Sequence, residues 1–232
     1  MKNALLILLT LCIGQALSAQ VVYNPNVAIK PIPTLSVYKV EMKENSTAIT
    51  FRIVNSDHLP PFALRSKDII LREVSDTMNL PLIKSENAKF YPDKHMFSYK
   101  DEIYEFTLVF GGLIQPVKYI DVIEQTPEKD FYVQGIIIDE DLNRELTRGF
   151  RAYQLGDAMG ALQHFINFAE MDLYFEYGTA YFNIIYILSQ QNRWEEAGEW
   201  YDKFKNRFFY DKQLLSNGFA NMGILNRLEE GR

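Results

Sequence analysis

The chain has 232 residues, 47% of them hydrophobic, with 24 Lys and Arg against 30 Asp and Glu and a net charge of −6. It has no run of Lys or Arg to follow a phosphate backbone, which excludes nucleic acid as a partner on charge grounds, because that affinity rests on cationic contacts; the acidity serves solubility. The one cysteine, Cys12, lies in an N-terminal apolar run, so the rest of the chain has no thiol for a disulfide, a thiolate nucleophile, a cysteine-ligated zinc or an iron–sulfur cluster.

Lys2 precedes apolar residues 4–13, and the small residues Ala16, Ser18 and Ala19 follow. That order of charge, hydrophobic stretch and small-residue site is the signature of a secretory signal peptide. Gly14 and Gln15 end the run at about half of the roughly 20 residues a bilayer span requires. Leu11, just before Cys12, and the early position of that cysteine argue against a lipoprotein anchor. Residues 1–19 are therefore expected to be a leader cleaved after Ser18 or Ala19. The mature chain is expected in the periplasm, at the cell surface or secreted, with no membrane insertion.

Residues 23–33 carry Pro25, Pro31 and Pro33 and read as an extended lead-in. Short β-prone runs follow at 35–40, 48–54, 68–74, 102–110, 119–123 and 131–138. Ile103, and then Phe106, Leu108 and Phe110, are set out largely at period two, which turns one face to a core and the other to water. Glu44-Asn45-Ser46, Pro60-Pro61, residues 76–79, Gly111-Gly112 and Thr126-Pro127 supply turn chemistry between the runs. Six or more short strands so spaced predict an antiparallel sandwich or open barrel.

After Asp139 the period lengthens. Leu146, Phe150 and Tyr153, then Ala161, Leu162, Phe165 and Phe168, recur at steps of three and four. Ala180, Tyr181, Ile184, Ile185 and Leu188 do so too, as do Ala197, Trp200, Tyr201 and Phe204. These are one-sided helical stripes, interrupted at Gly156-Asp157 and Asn192-Arg193. Residues 211–230 carry a further stripe and read as an end helix covering the last apolar face. The short acidic link Asp139-Glu140-Asp141 lacks Gly and Pro and suits a fixed join, with the first hairpin leaning on the sheet.

Two resemblances rest on these residues. Residues 105–113, 119–124 and 131–138 resemble the end of a β-sandwich domain of exported Bacteroidota proteins, which implies a fold and a periplasmic setting and no activity. The two helical units match each other at an offset of 36 residues and resemble the tetratricopeptide repeat, a helix–turn–helix unit of about 34 residues. Gly149, Ala161, Ala180 and Ala197 stand in that family's small-residue places, and Phe165, Tyr181 and Tyr201 in its aromatic ones. Arg148 and Glu145 depart, standing where the pattern has large apolar residues. The chain is thus expected to be α+β in two domains: an antiparallel β-sandwich over 20–139, then all-α tetratricopeptide-like helical hairpins with an end helix over 140–232.

Catalytic chemistry finds little support. His58, His95 and His164 share no helical face and no metal-ligand spacing. Asp57 and His58 have no Gly-x-Ser-x-Gly turn to present a nucleophile. Glu195 and Glu196 suit the first turn of a helix, where negative charge complements the dipole. The 139–143 stretch lacks the central glycine of a calcium loop. No catalytic residue, metal ligand or cofactor is assigned. A binding or scaffold protein is expected, engaging a protein or peptide partner through the first helix of each unit with Phe150, Tyr153, Phe182, Tyr186 and Gln190. The alternatives are carbohydrate or small-ligand binding by the sheet loops, with Tyr91, His95 and Tyr99, and an enzyme of unrecognised type.

Overall fold

The computed structural model describes residues 20–56, 59–74, 78–114, 116–127, 131–171, 177–209 and 211–230. The predicted leader with Cys12, the Asp57-His58 turn and the 172–176 stretch fall outside the described residues. Strands are β1 (Gln20–Tyr23), β2 (Leu35–Lys43), β3 (Ser46–Val54), β4 (Ile69–Glu73), β5 (Asn79–Glu86), β6 (Ile103–Gly111), β7 (Tyr119–Glu124) and β8 (Tyr132–Ile137). Helices follow as α1 (Glu140–Gln154), α2 (Ala158–Met171), α3 (Gly178–Gln190), α4 (Trp194–Lys205), α5 (Lys212–Asn221) and α6 (Ile224–Glu230). Among the described residues no helix is long and apolar enough to cross a membrane.

The strands form one antiparallel sheet in the order β1-β2-β3-β6-β5-β4-β7-β8, where a sandwich or an open barrel was expected. The joint is β5. Its residues Asn79, Leu80 and Pro81 pair with β4, and Leu82 onward pairs with β6 across an irregularity at Ile83. A strand that changes partner at such a point turns a corner of the sheet. The sheet therefore bends over one interior, to which Val37, Ile49, Phe51, Leu71, Phe106, Phe110, Val122 and Ile136 all contribute. Phe51 stacks on Phe106 at 5.2 Å between ring centroids and meets Phe131 edge-on at 5.5 Å.

The two ends of the sheet are stitched by the lead-in. It starts at Tyr23, the last residue of β1, which pairs with β2, and its Ile29 bridges to Gln134 of β8. The close pass of β6 over the β2–β3 turn needs a residue without Cβ at Gly112, where a Cβ would meet the Glu44 carbonyl oxygen at 2.1 Å.

The β-to-α handover lies where the hydrophobic period changes. Asp139 caps α1, its carboxylate accepting from the N–H groups of Asp141 (2.9 Å) and Leu142 (3.0 Å), with Glu140 and Asp141 in the first turn. An acidic cap and acidic first turn suit the positive end of the helix. Ile136 and Ile138 point into the sheet interior, while Ile137, with Tyr119 of β7, belongs to the helical core beside Leu142 and Leu146. Helices α1 with α2, α2 with α3, and α3 with α4 pack as successive neighbours, and α5 and α6 close against α3 and α4. The predicted single end helix is two, broken at Gly223, whose φ is +68°.

Gly149 of α1 lies against the Phe165 ring of α2, where a Cβ would stand 2.6 Å from a ring carbon. We predict that Gly149→Ala lowers unfolding free energy by about 1–3 kcal/mol through overpacking. Adding Phe165→Leu recovers part of that loss, as urea denaturation of both variants will measure.

Candidate functional site

Between β1 and α1 lies an open cleft of about 450 Å³. One wall is β1, the terminal strand of the sheet, with Tyr23 57% exposed. The other is a face of α1 presenting Arg144, Arg148 and Arg151, with Thr147 between them and Glu140 at the near end. Spacings of four and three put the arginines on one side of a helix. The cleft lining thus holds three cations and one carboxylate on a chain whose net charge is −6.

Asn26 holds the two walls together. Its backbone N–H donates to Asn143 Oδ1 at 2.8 Å, and its side-chain amide donates to the same oxygen at 2.6 Å and to Thr147 Oγ1 at 2.9 Å. Its carbonyl accepts from the N–H of Ile137 in β8 at 3.0 Å. One residue, three past β1, thus bonds to both the sheet and the helix through its backbone and its side chain.

Like charges one turn apart destabilise a helix by about 0.2–0.5 kcal/mol per pair, and the sequence offsets this in part. Arg144 pairs with Asp141, and Arg148 with Glu145 at 3.3 Å; Arg151 stands in the last turn of α1, where a cation suits the helix end. Glu145 also lies 2.9 Å from His164 Nδ1 and 3.5 Å from the Asn167 amide. Burial works against ionisation of Glu145, but these hydrogen bonds and the charges of His164 and Arg148 outweigh it and hold its carboxyl below the ordinary value.

Of the five residues expected to form a docking face, Phe150, Phe182 and Tyr186 are half-buried, and Tyr153 and Gln190 are exposed. Phe150 is half-buried edge-on against Phe165 of α2 at 5.3 Å, and Phe182 is stacked at 4.6 Å on Phe219 of α5. Both are used in packing between helices. Tyr153 and Tyr186 do meet, with ring centroids 6.2 Å apart; their hydrogen bond, and then partial desolvation, hold the Tyr153 hydroxyl above the usual phenol range. Gln190 is exposed at the end of α3.

A second concavity, of about 290 Å³, opens where the loop after β3 meets the β5–β6 loop. Ile53, Leu59, Phe62 and Phe97 line its apolar part, with Arg65, Tyr91 and Lys94 among its polar lining. Arg65 and Lys94 stand 5.9 Å and 5.7 Å from the Tyr91 ring centroid. His95 is taken up elsewhere, 2.9 Å from Glu102 and stacked at 4.0 Å on Tyr104, and Tyr99 is exposed outside the lining. Among the described residues no group of three or more His, Cys, Asp or Glu is placed to share a metal ion.

Sequence reasoning passed over the arginine face. It met Arg148 only as a departure from a repeat pattern, although the four-then-three spacing of Arg144, Arg148 and Arg151 was there to be read. The lowered Glu145 value gives a signed expectation. A depressed carboxyl contributes stability that is present above its unfolded value and lost as pH falls through the folded one. Glu145→Gln should therefore flatten the fall in melting temperature below about pH 4.5, and thermal melts of both proteins across the acid range will show it.

No family model, no curated protein and no solved structure matches the chain. The resemblances to the tetratricopeptide repeat and to the Bacteroidota sandwich are thereby corrected. Steps of three and four, with a small residue at a helix crossing, are what any close antiparallel helix pair demands, as Gly149 against Phe165 illustrates. The pattern reports a packing geometry and carries no family membership.

Proposed function

We propose that the protein is an exported, non-catalytic binding or scaffold protein that takes an acidic segment of a protein partner in the cleft between β1 and α1. The observation that carries this reading is the row of Arg144, Arg148 and Arg151 along one wall of an open cleft on an otherwise acidic chain. A row of like charges is costly to the bare helix and is relieved when an opposite charge docks. Arginine suits such a surface because its planar fork pairs with carboxylates through two parallel bonds. The polar anchors lie on rigid elements, since Asn26 clamps the helix to the sheet. In this reading the sheet unit and the helical unit, joined near Asp139, act as two walls of one site. Export is supported by Lys2, the apolar stretch 4–13 and the small residues up to Ala19.

The test is fluorescence anisotropy with a labelled helical peptide whose glutamates are spaced four and three apart. Binding should weaken steeply between about 50 and 200 mM salt, because exposed charges are screened within about 10 Å. Arg144→Glu with Arg151→Glu should weaken it at least about tenfold, since two attractions worth up to ~1 kcal/mol each become repulsions. Tyr186→Ala should change it less than about twofold. Equal affinity for the wild-type and arginine-reversed proteins would remove the cleft as the site.

The second concavity favours a further reading, a small ligand with an apolar body and an anionic group held among Arg65, Tyr91 and Lys94. Apolar walls with a few convergent polar groups are the usual makeup of such sites. A fluorescent fatty acid is the probe. Its affinity should fall at least about fivefold in Lys94→Glu and be unchanged by Arg144→Glu with Arg151→Glu.

A further inference from the structure

The occupant of the arginine cleft can be read from the other end of the chain. This step rests on the proposed partner-binding role of that cleft. Along α4, Glu195, Glu199 and Asp202 line an open concavity with Trp194 and Arg227. Their spacing is four then three, as for Arg144, Arg148 and Arg151 on α1. Each triad spans eight residues, seven steps or about 10 Å of helix axis. The charges are mirrored: three cations with Glu140 on one side, three carboxylates with Arg227 on the other.

We propose that the acidic face of α4 in one molecule docks in the β1/α1 cleft of a second copy. Among the described residues the two faces lie on helices that are not packing neighbours. Helix α1 packs on α2, whereas α4 packs on α3 and α6. Arg144 pairs with Asp141, Arg148 with Glu145, and Asp202 with Lys205 at 3.2 Å, each within a turn of its own helix. Each stripe places like charges one turn apart, a cost that opposite charge from a partner removes from both helices at once. Two copies of a chain with net charge −6 repel over most of their surfaces, so this mirrored pair of faces selects the orientation in which they meet. Because the two faces differ, the contact is head-to-tail. A molecule docked at one end keeps a free face at the other, and the contact propagates unless its rotation closes a ring.

Sedimentation velocity of the chain lacking residues 1–19, over a concentration series at about 20 mM and 300 mM salt, reads the proposal. The wild-type protein should form concentration-dependent oligomers at low salt that dissociate at high salt. Arg144→Glu with Arg151→Glu should be monomeric, and so should Glu195→Lys with Glu199→Lys, each with an unchanged circular dichroism spectrum. Mixed together, the two variants should assemble again, because each now offers what the other lacks at both contacts. Wild-type protein that stays monomeric at low salt overturns self-docking, as does assembly that both variants leave intact. If it stays monomeric while the acidic peptide still binds in an arginine-dependent way, self-docking alone fails. If the peptide does not bind either, the cleft fails with it.

Discussion

The structure depends on a single constraint, the alternation of side chains along β8. Ile136 and Ile138 close the interior of the bent sheet, and Ile137 between them enters the helical core with Tyr119. A period of two cannot serve one core only when both faces are apolar. The residues 136–138 therefore commit two hydrophobic units to each other at a fixed angle. Asp139 follows at once and caps α1, leaving no slack in the join. The polar clamp at Asn26 completes it from the other side of the chain.

That constraint decides where binding chemistry can sit. The inward stripe of α1 is consumed by Leu142, Leu146 and Gly149, so the arginines are left on a face that looks across to β1. Aromatic residues on α1 and α3 meet a different fate, because α2 and α5 cover Phe150 and Phe182. A helix buries its large apolar side chains wherever a neighbour is near, but a row of like charges persists only where solvent or a partner accepts it.

Much of the fold was legible in the sequence because burial imposes a period. β6 reads out from Phe106 through Leu108 to Phe110, all buried, whereas Ile103, expected with them, is exposed and its neighbour Tyr104 takes the buried place; the stripes of α1 to α4 lie where steps of three and four recur. β5 was not legible. It contains Pro81, Lys84 and Glu86 and has no fully buried residue, since it lies at the bend where neither face is covered in full. β1 was hidden for a similar reason, being four residues long with only Val22 buried. The arginine cleft depends on β1 standing next to α1, a juxtaposition more than a hundred residues apart in the chain, and local pattern holds no record of it.

The clamp at Asn26 also bears on the order in which the chain can acquire its shape. Its partners Asn143 and Thr147 lie 117 and 121 positions downstream, and the bridge from Ile29 reaches Gln134. Such distant pairings are slow to form, because loop closure has to be met before the contacts reward it. On a ribosome, the opening segment emerges first and finds its lasting neighbours only after β8 and the start of α1 have been made.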